Sequence, residues 1–440
     1  MPSAIRGFTT QVARSARNLY RAIPRDRQTL AQVHRQKVGR LKEAGIKQVM
    51  RDGAKTAVGL LSAARDLATL VLPQMRKPKP GSFAFFVHPR DIHDIYTPFP
   101  SFKYLPDSWV MEFSKYLPPI TASKITGIRS LETGQPLDGH LMAIVLTPQH
   151  MLEDGHFAAR RAVQMALLAQ RKGIAFVGLG ALLPFLTRYG KTIKQYVPGI
   201  GVTTGHAYTS HIIAKTALRV KDILSPERRE LIAVVGAAGS TGSASTKVLL
   251  RNGAERLLLI ELEEKKDKLD ALGLELKQNF PRAEIKLSTR LADIRQARII
   301  VTVTNAPEAI IEEEWLRPGM IFVDDAQPPN VSQDLAQKRQ DIRVIKVLAH
   351  VPDLDPHFDF RLGTPPDITF TCLAETATLA AHEKKSNFTV GYANKMAEVS
   401  GIARLTRRVG VTLPEDFYGY EGVRYTAEEV RQVGSLWTRD

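Results

Sequence analysis

Short apolar runs separated by polar turns make up most of the chain. Phe83-Ala84-Phe85-Phe86-Val87 is a compact apolar run, reads as a strand, and ends at His88-Pro89-Arg90-Asp91. Ile125-Thr126-Gly127-Ile128 and Leu141-Met142-Ala143-Ile144-Val145-Leu146 are further strand candidates. Residues 157–171 read as a helix, and Ile174-Ala175-Phe176-Val177-Gly178-Leu179-Gly180 reads as a buried strand closed by a glycine turn. Strand, helix and strand in that order predict an α/β unit. A second series begins at Leu231-Ile232-Ala233-Val234-Val235, an apolar run of the parallel-sheet kind. A helix over residues 243–252 and a strand at Leu257-Leu258-Leu259-Ile260 follow. Later strands are predicted at residues 299–303, 320–324 and 344–347, and closing helices at 373–384 and 391–408. Residues 95–118 are rich in aromatics and proline, and either line an apolar pocket or pack a loop-rich core.

The start of the chain has a different texture. Ile5, Phe8, Val12, Ala16, Leu19 and Ile23 recur at helical spacing, with Arg6, Arg14, Arg17 and Arg21 on other faces. A second stretch over residues 54–72 is rich in Ala and Leu. Residues 1–80 hold 17 Lys/Arg against Asp26, Glu43, Asp52 and Asp66, so they carry +13 of the net charge of +16. Basic amphipathic helices suit an anionic membrane surface or an acidic partner, and an Arg-rich, acid-poor start also resembles a transit peptide. The basic segment lacks the interleaved aromatics of a nucleic-acid stacking platform, so no nucleic acid is expected.

These patterns divide the chain into a basic helical extension (1–80), an α/β substrate domain (81–222), a Rossmann-type dinucleotide-binding domain (223–365) and a helical C-terminal segment (366–440). A single cysteine excludes a disulfide framework and a cysteine zinc cage, and no metal site is expected. No apolar run is long enough to span a bilayer, and the start lacks the apolar core of a secretory signal. The expected location is cytoplasmic, with peripheral membrane contact through residues 1–80 as an option.

The clearest chemistry lies at Gly236-Ala237-Ala238-Gly239-Ser240-Thr241-Gly242. An apolar strand precedes this loop, a helix follows it, and the next strand ends in an acid, the context a dinucleotide fingerprint requires. Gly236 permits the tight turn, Gly239 lets backbone approach a pyrophosphate, and Gly242 allows close helix–strand packing. Ser240 and Thr241 open the helix whose N-terminus faces the phosphates. Glu261 suits a ribose 2′-OH and would repel a 2′-phosphate, while Lys265, Lys266 and Lys268 soften that repulsion. The cofactor is therefore NADPH or NADH. Thr203, Thr204, Thr304 and Asp324 are the remaining expected cofactor contacts.

The lone Cys372 lies in Phe370-Thr371-Cys372-Leu373-Ala374-Glu375-Thr376, just after the chain-breaking Thr364-Pro365-Pro366-Asp367. A predicted helix N-terminus there favours a thiolate. Glu375, one turn on, caps the helix, positions the thiol or is a favourable first-turn residue.

Several segments together resemble the long-chain acyl-(acyl carrier protein) reductases, which form fatty aldehydes. Gly201-Val202-Thr203-Thr204-Gly205 is similar to that family's Thr-Thr-Gly segment, and the glycine loop to its cofactor loop. Val323-Asp324-Asp325-Ala326-Gln327-Pro328-Pro329-Asn330 is similar to its Asp-Gly-Gly-x-Pro-x-Asn turn. Cys372-Leu373-Ala374-Glu375 resembles its nucleophile segment, and Asn387-Phe388-Thr389-Val390-Gly391 the segment beyond. The resemblance implies that Cys372 takes an acyl group from acyl carrier protein or acyl-CoA as a thioester, which hydride then reduces to an aldehyde. His206, Tyr208 and His211 are its candidate proton donors. Two rivals stand beside this: a shikimate- or amino-acid-type Rossmann dehydrogenase with Cys372 non-catalytic, and a non-catalytic carrier- or membrane-binding protein.

Overall fold

The computed structural model describes residues 27–72, 75–225, 230–306, 308–392 and 394–438. The arginine-flanked periodicity over residues 5–23 lies outside them. The described chain opens with helix α1 (Arg27–Val71), interrupted at Gly45, whose φ of 69° is left-handed.

Two sheets follow. The first has the order β2-β3-β1-β4-β5, from β1 (Lys79–Val87), β2 (Ile120–Ile125), β3 (Gly139–Ala143), β4 (Ile174–Leu179) and β5 (Gly201–Thr203). Its pairings are parallel except for the edge strand β2, which runs antiparallel to β3. Helix α2 (Gly155–Arg171) covers one face, burying Ala158, Ala162, Met165, Ala166 and Ala169 at helical spacing. The interior strand β4 is buried throughout, which explains its unbroken apolar sequence.

The second sheet is wholly parallel, with the order β11-β10-β9-β6-β7-β8. Its strands are β6 (Leu231–Val235), β7 (Arg256–Ile260), β8 (Glu284–Ser288), β9 (Ile299–Thr302), β10 (Ile321–Asp324) and β11 (Arg343–Lys346). The chain moves outward one way from β6 to β8, then returns and moves the other way from β9 to β11. That is the doubly wound Rossmann order, with its switch point between β6 and β9. The α/β, Rossmann-type fold is therefore present.

Helix α3 (His206–Leu224) ties the two sheets together. It leaves β5 and packs both on α4 (Ser240–Arg251) of the second sheet and on α5 (Thr371–Ala381). The helix that carries Cys372 also meets the first sheet. After the antiparallel pair β12 (Leu348–His350) and β13 (Ile368–Phe370), α5 is seated on β1 and β4 of the first sheet. A Cβ at Gly178 would lie 1.8 Å from Thr376 Oγ1, so only glycine lets the helix sit this close.

Candidate functional site

The carboxyl ends of both sheets face one cavity of about 740 Å³. Residues just beyond β1, β4 and β5 (His88, Gly180, Thr204) line it from one side. Residues at the ends of β6, β7, β9 and β10 (Gly236, Glu261, Thr304, Asp325) line it from the other.

On the second-sheet side, the loop is shaped for close approach. Gly236 has φ of 84°, and a Cβ there would meet Val303 O at 2.8 Å, across the switch point. Gly239, Ser240 and Thr241 line the cavity. Gly242 lies behind them, where a Cβ would come within 2.1 Å of Gly236 O. Ser240 Oγ is buried at the first residue of α4 and has no hydrogen-bond partner in the protein. An orphaned hydroxyl and helix N–H groups at one point match a phosphate. These residues therefore fit a dinucleotide: the loop and α4 hold its pyrophosphate and Glu261 lies at the ribose end. Glu261 accepts from Ala238 N (3.1 Å) and Leu262 N (3.2 Å), and Lys265 Nζ lies 3.5 Å away. Lys265 and Lys268 border the cavity beside it. Thr304 also lines the cavity and is fixed by Asn330 at 3.0 Å.

Other expected contacts turn away. Asp324 is fully buried and does not border the cavity. It accepts from Thr302 Oγ1 (2.8 Å) and Ala326 N (3.1 Å), and Lys346 Nζ lies 3.6 Å off. Thr203 is likewise internal, held by Glu375 and Thr389, whereas Thr204 borders the cavity.

The four expected catalytic residues separate in the same way. Glu375 is fully buried, accepts from Thr203 Oγ1 and from Tyr208 N at 2.7 Å, and fastens the first turn of α3 to α5. Burial pushes its carboxyl up to about 7. Tyr208 is in the core, stacked on His211 at 6.1 Å, and does not reach the cavity. His206 does border it, edge-on to Tyr189 at 5.9 Å. Burial pushes His206 down to about 4, so it is neutral at physiological pH. Its Nδ1 is buried without a hydrogen-bond partner.

Cys372 lies in the first turn of α5, half-buried on the cavity wall. Gly205 presses against it: a Cβ there would be 2.3 Å from Cys372 Cβ. The helix N-terminus does not yield a thiolate. Burial, and then the Asp325 charge, push the thiol up to about 12. The backbone N–H groups of Leu373 and Cys372 at the helix start oppose this without reversing it.

Asp325 is the functional candidate that sequence reasoning passed over. It follows β10, its side chain borders the cavity, and its N–H donates to Thr302 O at 3.1 Å. Burial pushes its carboxyl up to about 8, against the opposing pull of Lys346. The alternation of strand side chains carries the signal: Asp324 points in, so its neighbour points out.

The first-sheet half of the cavity is chiefly apolar, with Val87, Ile95, Ile120, Val145, Met151 and Phe185 among its walls. The charged pair there is internally satisfied. Arg90 Nε donates to Asp94 Oδ2 at 2.8 Å and Arg361 reaches Asp94 at 2.8 Å. His88 Nε2 accepts from Leu182 N (3.2 Å), so its Nδ1–H donates to Pro89 O (2.8 Å). Among the described residues no cluster of His, Cys, Asp and Glu could hold a metal.

The Shikimate / quinate 5-dehydrogenase family model matches residues 219–354. The chain is 28% identical over 326 residues to "Aminotransferase PigE" of Serratia sp. (strain ATCC 39006), a match spanning 72% of this chain and 36% of that protein. The chain thus spans about a third of that relative's length. Among solved structures, the NAD-dependent malic enzyme of Thermotoga maritima is similar at 14% identity and a TM-score of 0.38, covering 81% of this chain and 84% of that one. Quinate dehydrogenase from Corynebacterium glutamicum is similar at 11% identity and a TM-score of 0.32, covering 74% and 97%.

The acyl-thioester reductase expectation is overturned. The family model that matches the dinucleotide half is that of the shikimate / quinate 5-dehydrogenases. Acyl-(acyl carrier protein) reductase, fatty aldehyde and covalent thioester do not describe this chain. Its acyl carrier protein or acyl-CoA partner is implied by that resemblance alone. The Rossmann fold and its NAD(P) site remain.

Proposed function

We propose that the chain is an NAD(P)-dependent dehydrogenase of the shikimate- or amino-acid-dehydrogenase type, with Cys372 outside the bond-making steps. The observation that carries this reading is the cavity shared by the two sheets. One end is a glycine loop with an orphaned Ser240 hydroxyl at a helix start, and the other is a chiefly apolar chamber. When bound, the dinucleotide supplies or accepts the hydride. The chain's own residues do the rest. Thr204, His206 and Cys372 fill the wall where the two halves meet and keep it free of charge. Asp325 holds the proton. Protonated at neutral pH, it gives that proton to the carbonyl oxygen of a substrate being reduced, and takes it back in oxidation.

The substrate that suits this chamber is a carbonyl compound or its alcohol with a large apolar body. Arg90 is already paired with Asp94, so it offers no open fork to a substrate carboxylate. Glu261 at the ribose end favours NADH over NADPH. The test is a panel of apolar ketones and alcohols, followed through NADH absorbance at neutral pH. Turnover that Cys372→Ser retains supports the reading. Turnover abolished by that variant and accompanied by acyl-enzyme would reject it.

A further inference from the structure

Helix α1 divides its apolar residues between two faces. Its inward face sets Ala63 and Leu70 against the core beside buried polar groups. Asp52 accepts from Tyr104 OH (2.6 Å) and pairs with Lys103 (2.8 Å), and Thr56 Oγ1 accepts from Ser101 N (2.8 Å). Asp66 accepts from Thr121 N (2.6 Å) and pairs with Lys172 (2.5 Å). Four large apolar residues point the other way: Ile46, Met50, Val58 and Leu61 are each 68–81% exposed. With 3.6 residues per turn these fall in one stripe, filled in by Ala54, Ala57, Ala64 and Ala68 and extended by Leu72. Lys47, Arg51, Lys55 and Arg65 run along one flank of the stripe, all exposed. The carboxylates between residues 46 and 72 are Asp52 and Asp66, and both are buried.

An exposed apolar stripe about 40 Å long with a cationic flank and no exposed acid is costly in water and matched by anionic lipid. A second copy of the helix would cover the stripe, but it would bring basic flanks together with no carboxylate to pair them. Lipid headgroups supply the missing negative charge and acyl chains the apolar bed. No helix among the described residues is long and apolar enough to cross a membrane, so the contact is in the plane of the surface. We propose that the outer face of α1 over residues 46–72 docks the protein on an anionic lipid bilayer.

The full chain is floated with phosphatidylcholine vesicles, with and without about one quarter phosphatidylglycerol. The proposal expects saturable binding to the anionic vesicles, at least about tenfold weaker without phosphatidylglycerol and weakened by salt. The triple variant Met50→Ser, Val58→Ser, Leu61→Ser, and separately the pair Arg51→Glu, Lys55→Glu, each lower binding about tenfold. All five positions are exposed, so melting temperatures stay unchanged. No flotation of the wild type, or equal flotation of wild type and both variants, overturns the proposal. A lipid-free dimer that the triple variant converts to monomer also overturns it, and assigns the face to a second copy.

Discussion

The two halves of the cavity obey different rules. The dinucleotide half is made of backbone: the glycine loop, the start of α4 and the ends of β6 and β9. Its tolerances are steric, set by a would-be Cβ 2.1 Å from Gly236 O or 2.8 Å from Val303 O. The first-sheet half is made of side chains drawn from many elements, and most of them are apolar. Where a site is defined by backbone geometry, short motifs announce it. Where it is defined by volume, substitutions spread widely and no motif forms. Asp325, to which we assign the proton, lies on the seam, where burial pushes its carboxyl up to about 8.

The contrast is broken most severely at the seam itself. Gly205 has φ of 77° and presses on Cys372, so Gly205→Val forces α3 away from α5. The expected cost is about 3 kcal/mol or more, read as lost stability in urea denaturation. Next comes Asp325→Asn. We expect carbonyl reduction to fall about a hundredfold while NADH affinity stays within about twofold, since only the proton is removed. In the wild type the reduction rate falls as pH rises through about 8, because the acid form is the one that works. That fall disappears in the variant.

Glu375 tests whether the seam is structural. Its carboxyl is raised to about 7, so the folded state holds a proton that the unfolded chain has already lost. The wild type therefore loses stability as pH rises from about 4.5 to about 7, by up to roughly 3 kcal/mol relative to Glu375→Gln. Denaturation of both proteins across that window shows whether the gap grows with pH. A smaller effect sharpens the dinucleotide half: Glu261→Ser shifts preference toward NADPH by about tenfold, measured as the ratio of the two dissociation constants. The smallest is Cys372→Ser, which keeps turnover within about threefold if the thiol is only part of the wall.

Much of the fold was legible in the sequence. The apolar run of β6, the glycine loop and the acid ending β7 mark a Rossmann unit, because a parallel strand buried on both faces leaves an unmistakable pattern. The placement of α5 was not legible. Gly178 and Gly205 admit that helix to the first domain, and a glycine in a strand does not say what approaches it. Cys372 misled for a related reason. Its position at a helix start is visible in sequence, whereas the dryness of its surroundings and the facing Asp325 are not. Asp324 and Asp325 are adjacent in sequence, yet the first is fully buried and the second borders the cavity, a difference that the sequence does not show. Residues 54–72 read as rich in Ala and Leu, and the sequence does not reveal that Val58 and Leu61 face outward while Asp66 faces the protein.

The central claim is that the glycine-loop half of the cavity holds a nicotinamide dinucleotide independently of the cysteine. Titration of NADH by fluorescence energy transfer from the protein, for wild type, Gly242→Val and Cys372→Ser, tests it most directly. The account predicts saturable one-site binding in wild type and Cys372→Ser, and a loss of more than about a hundredfold in Gly242→Val. Equal NADH binding by wild type and Gly242→Val, or binding lost with Cys372→Ser, would contradict it.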